Sequence, residues 1–272
     1  MADAVITTAP ARAPAAPGTW RQRVWQPVWE YRAQLASLSV GLGLMEILGR
    51  WLHFPFLPPV SAVIIAAWQM ILSGEILGNL AVSLVGLASG FGLAASLGML
   101  IGALMGRYRK VEHFLDLHVN AMLAAPSLIF VPILFAFFGV SRLSQVSVVF
   151  LYSFFSIIAN TMAGIRTVDT HLVEMGRSFG ATERQLFWKV MLPGALPLIM
   201  AGLRIGMGRA VKGMINGEMF IALIGLGALL KHYGSRFEAD RVLGILLVII
   251  VVAVITAGIV QALDRRLTKW AD

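Results

Sequence analysis

ILGNLAVSLVGLASGFGLAASLGMLIGALMG, residues 76–106, runs for 31 positions without a charged side chain. A helix of that length more than covers the ~30 Å of hydrocarbon in a bilayer, with room for tilt or overhang. A small residue returns at every fourth position: Gly86, Gly90, Ala94, Gly98, Gly102 and Gly106. That period keeps them on one slowly turning stripe, where a second backbone can approach closely. The stretch reads as a tightly packed membrane span. Gly86, Gly90, Gly98, Gly102 and Gly106 are its candidate packing residues, and nothing in the stretch says against what they pack.

The whole chain agrees. Of its 272 residues 58% are hydrophobic and 13% charged, with a mean hydropathy of +0.80. Soluble domains are about 45–50% apolar and about 25% charged, so a water-soluble globule would lack the polar residues to cover itself. The absence of cysteine removes a disulfide scaffold. The net charge of +8 is spread between hydrophobic blocks rather than gathered in a patch, so nucleic acid is not implied. An all-α, polytopic membrane protein remains.

Further uncharged blocks lie at 117–141, 143–165 and 242–263, and residues 33–49 carry only Glu46. A fifth block, 190–230, holds Arg204, Arg209, Lys212 and Glu218. Pro55, Pro58 and Pro59 confine any helix in 54–74 to a short one from Val60, suited to the outer surface rather than to a crossing. Six spans with the N-terminus inside put 14 of the 22 cations on cytoplasmic segments and five outside, as the positive-inside rule asks. Pro126 and Pro132 predict a kink in the third span. Residues 1–19, rich in Ala and Pro, read as a disordered cytoplasmic tail. Residues 20–32 mix three Trp with three Arg and read as an interfacial segment or an aromatic flank to the first span. The membrane domain covers 33–272.

The remaining three cations lie in the fifth span. At 100° per residue Arg209, Lys212 and Asn216 share one face, with Gly202, Gly206, Gly213 and Gly217 beside it. Arg204 and Glu218 fall on a different side. Cations at mid-membrane cost about 2.5–3.5 kcal/mol each on insertion scales, so they normally face a cavity or a partner. One reading places Arg209, Lys212 and Asn216 on a water-filled path suited to an anion; the other pairs them with Glu46 or Glu218, or lets them snorkel. Glu218, and Ser156 with Asn160 at i, i+4 in the fourth span, complete the substrate-path candidates.

The longest polar loop is RTVDTHLVEMGRSFGATERQLFWKVMLP, residues 166–193. Asp169 or Thr170 can cap a first helix, and Gly180 suits the residue after its end. Thr182 with Gln185 forms a capping box for a second helix, which Pro193 is expected to help end. Leu172, Met175 and Phe179 line one side of the first helix. The loop resembles the EAA loop of ABC-importer permeases, E-A-A-x3-G-x9-I-x-L-P. Glu174, Gly180, Val190 and Leu192–Pro193 stand at the matching spacing, with Met175 and Gly176 in place of the two alanines. LPPVSAV, GLRIGMGRA, GEMFIA, GLGALL and DRRLTKW are similar to the nitrate, aliphatic-sulfonate and taurine branch, so the resemblance extends from about residue 57 to the end.

The resemblance implies a type I permease fold in a bacterial cytoplasmic (inner) membrane. It implies a second copy of the chain, two ATP-binding cassette ATPase subunits below and an extracytoplasmic solute-binding protein above. Glu174, Met175, Gly176, Gly180, Leu192 and Pro193 would couple to the ATPase. In that branch the position of Lys212 is usually apolar, whereas Arg209 and Glu218 are familiar, which makes Lys212 a candidate for tuning the substrate. No lysine precedes Ser or Thr, so the chain has no P-loop; ATP and Mg would be bound by the partner, with no cofactor in this chain. A membrane-embedded enzyme would need paired carboxylates or a metal set. The 14 acidic residues are scattered and the five histidines are not at ligand spacing, so no metal site is expected. An ion-coupled secondary transporter would need inverted repeats, and the spans show no evident halves.

Overall fold

The computed structural model describes residues 20–52, 54, 56–221 and 224–268. The expected tail over 1–19 lies outside the described residues, as do the side chains of 20–31. Among the described residues the chain is helical, in the order α1 (Trp20–Leu52), α2 (Val60–Leu72), α3 (Glu75–Arg107), α4 (Arg109–Ala124), α5 (Phe130–Phe138), α6 (Arg142–Arg166), α7 (Thr170–Ser178), α8 (Glu183–Leu186), α9 (Leu192–Ile221), α10 (Leu226–Ser235) and α11 (Ala239–Leu267).

The glycine stripe of α3 seats α6. A Cβ added at Gly90 would stand 2.6 Å from the Val149 Cβ, and one at Gly102 would stand 2.6 Å from the Ile158 carbonyl oxygen. The pairs Gly86–Gln145, Gly90–Val149, Gly98–Ile157, Gly102–Thr161 and Gly106–Ile165 each join residue n to residue n + 59. A constant offset means that the two helices run parallel, each presenting a four-residue period to the other. An adjoining side of α6 takes α9 antiparallel: Gly202 sits on Asn160, Gly206 on Ile157, Gly213 on Tyr152 and Gly217 on Val148. With α3 and α6 parallel, the chain must return across the membrane once between them.

That return breaks at Pro126, one of the two prolines expected to kink it, and the bend is far sharper than a kink in a continuous helix. Ala125 is extended (φ −68°, ψ 138°) because it precedes Pro126, and α4 stops there. A 3₁₀ turn over Ser127–Ile129 follows, and the chain resumes as α5 after a 90° bend. Pro132 costs nothing, since it lies in the first turn of α5, where its missing N–H has no helical partner. Among the described residues five helices are long and apolar enough to cross a membrane, and the bent α4–α5 pair taken as one span makes six.

Two expectations are corrected. Pro193 does not end the second loop helix, because helix continues from Glu183 to Ile221 through a π turn at Phe187–Met191, where the Leu192 N–H bonds the Phe187 carbonyl. The wider turn carries the chain past a proline whose ring would crowd the carbonyl four residues back in a regular α turn. The fifth block also does not run to 230: α9 ends at Ile221, and α10 is a separate helix starting at Leu226 after Gly225, which has φ +91°. α2, at 13 residues, is too short to cross, and buries Val63, Ala66, Ala67 and Met70 on one side. Its Ala67 lies against Gly244 of α11.

Candidate functional site

The four charges of α9 separate into three environments. Arg209 and Lys212 stand on the exposed face of the helix, beside Ile205 and Gly208. Among the described residues neither cation makes an ion pair. Asn216, half-buried on the same face, donates from Nδ2 to the Tyr152 hydroxyl of α6 at 3.0 Å. Arg204 is tied to Asp264 of α11.

Glu218 is the third case, off the cationic face as its helical position predicts. It is 0% exposed, on the packed side of α9. Its Oε1 accepts from Gln145 Nε2 of α6 at 2.6 Å, and its Oε2 accepts from the Gly227 N–H at 2.9 Å. The carboxylate thereby satisfies an otherwise unpaired amide in the first turn of α10. Two other groups complete this seat: Asn79 Oδ1 accepts from the Gly225 N–H at 2.9 Å, and Ser83 Oγ from the Leu226 N–H at 3.0 Å. Two helices, α3 and α9, thus hold the start of α10. A Cβ at Gly225 would lie 2.3 Å from the Glu218 carboxyl carbon, so only glycine fits there.

Glu46 is equally committed. Its carboxylate accepts from the Ser61 N–H and hydroxyl, both at 2.9 Å, and from Arg50 Nε at 2.7 Å, which caps α2 from the neighbouring α1. Neither anion proposed as a counterion for Arg209 and Lys212 is available to them. Ser156 and Asn160 also stay away from the exposed face. The Ser156 hydroxyl donates to the Ser153 carbonyl and the Asn160 amide to the Ser156 carbonyl, both at 2.8 Å, and Asn160 packs under Gly202. They serve the α6–α9 contact.

The loop between α6 and α9 is built to hold α7 in place. Asp169 Oδ1 accepts from the His171 N–H at 2.9 Å. At the far end the Gly180 N–H bonds the Arg177 carbonyl (2.8 Å) and the Ala181 N–H the Gly176 carbonyl (3.0 Å), with Gly180 at φ +78°: a Schellman end. Thr182 and Gln185 then cap α8 reciprocally. Gly176 permits the close approach of α8, since a Cβ there would meet Leu186 Cδ2 at 2.6 Å. Arg177 (3.1 Å) and Arg107 both pair with Glu183, tying the loop to the end of α3. Outside this frame Glu174, Leu172, Met175 and Phe179 are exposed, Phe179 to 84%. A rigid helix with an uncovered apolar side is suited to docking on another protein.

Tyr233 of α10 donates to Glu75 Oε1 of α3 at 2.7 Å, and Arg241 lies over its ring at 4.9 Å. Burial first, and then the Glu75 carboxylate, push the phenol pKa above its usual value. Sequence reasoning did not anticipate this anchor, nor Gln145, Asn79 and Ser83, because each partner lies more than 70 residues away from the group it serves.

Residues 94–269 match the family described as the binding-protein-dependent transport system inner membrane component. A Bacillus subtilis protein assigned as the aliphatic sulfonates transport permease SsuC is 33% identical over 216 residues, covering 79% of this chain and 78% of its own. The taurine transport system permease protein TauC of Escherichia coli is 31% identical over 220 residues, covering 79% and 80%. A solved inward-facing structure of the MetNI methionine ABC transporter superposes with a TM-score of 0.58 at 21% identity, over 71% of this chain and 94% of that one. That likeness supports the all-helical permease fold.

Proposed function

The chain belongs to the family of binding-protein-dependent transport system inner membrane components, and from that premise we propose that it forms half of the path of an ATP-driven importer for a small organic or inorganic anion. The observation that carries the anion is the exposed face of α9, where Arg209 and Lys212 have no counterion among the described residues, while Glu46 and Glu218 are bound elsewhere. Cations held in a low-dielectric setting without an internal partner attract an anionic guest. Relatives named for sulfonates and taurine point the same way. A second copy of the chain supplies the other half of the path, and an external binding protein delivers the solute.

ATP hydrolysis belongs to separate subunits below. Glu174, Met175, Gly176 and Gly180, with Leu192 and Pro193 where the loop passes into α9, form the coupling element. Force applied to the exposed side of α7 reaches α9 through α8 and the π turn, along helix that runs from Glu183 to Ile221. Alternating access then follows from motion of α9 relative to α6.

The test is uptake by the reconstituted complex in liposomes. Lys212→Met should cut uptake of a sulfonate about fivefold or more, in line with ~1 kcal/mol or more for a lost charged contact, and leave basal ATP hydrolysis unchanged. Uptake equal to that of the wild type would remove Lys212 from the path.

A further inference from the structure

A cleft of about 330 Å³ opens between the cytoplasmic end of α3 and the segment formed by α8 and the π turn. It is lined by Leu100, Ala103 and Leu104 of α3, by the charged Arg107, Arg184 and Glu183, and by Trp188. We propose that this cleft binds one anionic phospholipid of the inner leaflet, with its phosphate between Arg184 and Arg107 and an acyl chain along Leu100 and Leu104.

Depth is the first argument. Arg107 ends α3 at the cytoplasmic boundary, and Leu100 lies two turns above it, about 10 Å into the hydrocarbon at 1.5 Å per residue. The cleft therefore spans the step from headgroup to acyl chain. Trp188 (58% exposed) and Tyr108 flank it, and such rings favour that boundary.

The second argument is direction. α3 meets the buried side of α9: Phe91 lies by Gly206, and Leu87 clusters with Ala210, Val211 and Met214. Arg209 and Lys212 lie on the exposed face of α9, away from its contact with α3, and neither lines the cleft.

Charge decides the ligand class. Glu183 is already shared by Arg107 and Arg177, and Arg184 makes no ion pair among the described residues. The lining keeps an excess of positive charge beside its apolar side chains. Basic pockets between helices on the cytoplasmic side suit anionic headgroups. A soluble anion would leave Leu100 and Leu104 uncovered, and a zwitterionic lipid would bring a cation to Arg184.

The test uses the purified full-length chain in detergent, offered dioleoyl phosphatidylglycerol or phosphatidylcholine and weighed by native mass spectrometry. The wild type should retain one phosphatidylglycerol in preference to phosphatidylcholine, and excess inorganic phosphate should not displace it. Arg184→Gln should lower that occupancy about fivefold, the effect of one basic residue at an anionic membrane surface. Ala103→Trp, which fills the cleft and keeps both guanidinium groups, should abolish it. If Ala103→Trp does not fold, Arg184→Gln alone decides. Equal retention of the two lipids, displacement by phosphate, or full occupancy in Arg184→Gln would overturn the assignment.

Discussion

Gln145 of α6 and Glu218 of α9, 73 positions apart, meet at 2.6 Å inside the bundle. Both Glu218 oxygens accept, one from Gln145 and one from the backbone of α10. Glu218→Gln puts a donor where an acceptor is required, which costs about 1–3 kcal/mol for a buried group. The variant should unfold at lower temperature in detergent, and a protease should cut α10 sooner than in the wild type. Adding Gln145→Leu to it should destabilise by less than the sum of the two single changes, because both act on one bond.

The parallel contact of α3 with α6 makes a sharp pair of predictions. Gly102→Ala places a methyl group 2.6 Å from the Ile158 carbonyl, which is backbone and cannot rotate away. A loss of about 1–3 kcal/mol follows from overpacking, visible as a lower yield of monodisperse protein on size exclusion. Gly92→Ala, with nothing within 4 Å of the added carbon, should behave as the wild type.

How much of this could be read from the sequence depends on whether a partner leaves a local mark. The α3 glycines repeat every four residues and announce a close contact, but α6 meets them with Gln145, Val149 and Ile157, a mixed set with no repeat to notice. Caps are local, so Asp169, Gly180 and the Thr182–Gln185 box were legible. The bend at Pro126 was legible as a break and not as a right angle, because an angle depends on what the next helix packs against. Helical spacing separated Glu218 from Arg209 and Lys212. Its partners, from α6 and α10, have no fixed spacing to it, and likewise Glu46, an open counterion candidate in the sequence, is committed once α2 packs beside it.

Gly180 stands at φ +78°, with open space around it. Any effect of replacing it is therefore backbone strain or altered surface, not a clash. Gly180→Glu should insert normally yet reduce solute-stimulated ATP hydrolysis of the assembled complex about fivefold or more, the equivalent of ~1–2 kcal/mol of left-handed strain. Gly180→Asn should recover most of the stimulation, since asparagine tolerates that conformation. Normal stimulation in Gly180→Glu would take the α7 end out of the coupling path.

The Tyr233–Glu75 bond predicts a pH effect on the outer half of the protein. Burial and the nearby carboxylate raise the folded-state pKa of the phenol above its ordinary 10.0. The protonated form is favoured by folding, so its contribution is present in full below pH 10 and fades as pH climbs through the raised value. The unfolding midpoint of the wild type should fall in that alkaline window. Tyr233→Phe should start lower, by about 0.5–1.5 kcal/mol for one hydrogen bond, and should not show this component of the fall.

The most direct measurement uses the absence of cysteine from the chain. Lys212→Cys and Ala210→Cys each introduce a single thiol, one on the exposed face of α9 and one at 0% exposure on its packed side. In the assembled transporter in liposomes, a water-soluble sulfonate-bearing methanethiosulfonate should modify the thiol at 212, and excess transported solute should slow the reaction. The thiol at 210 should stay unmodified. An unreactive thiol at 212, or equal reaction at both positions, would contradict an aqueous anion path along α9.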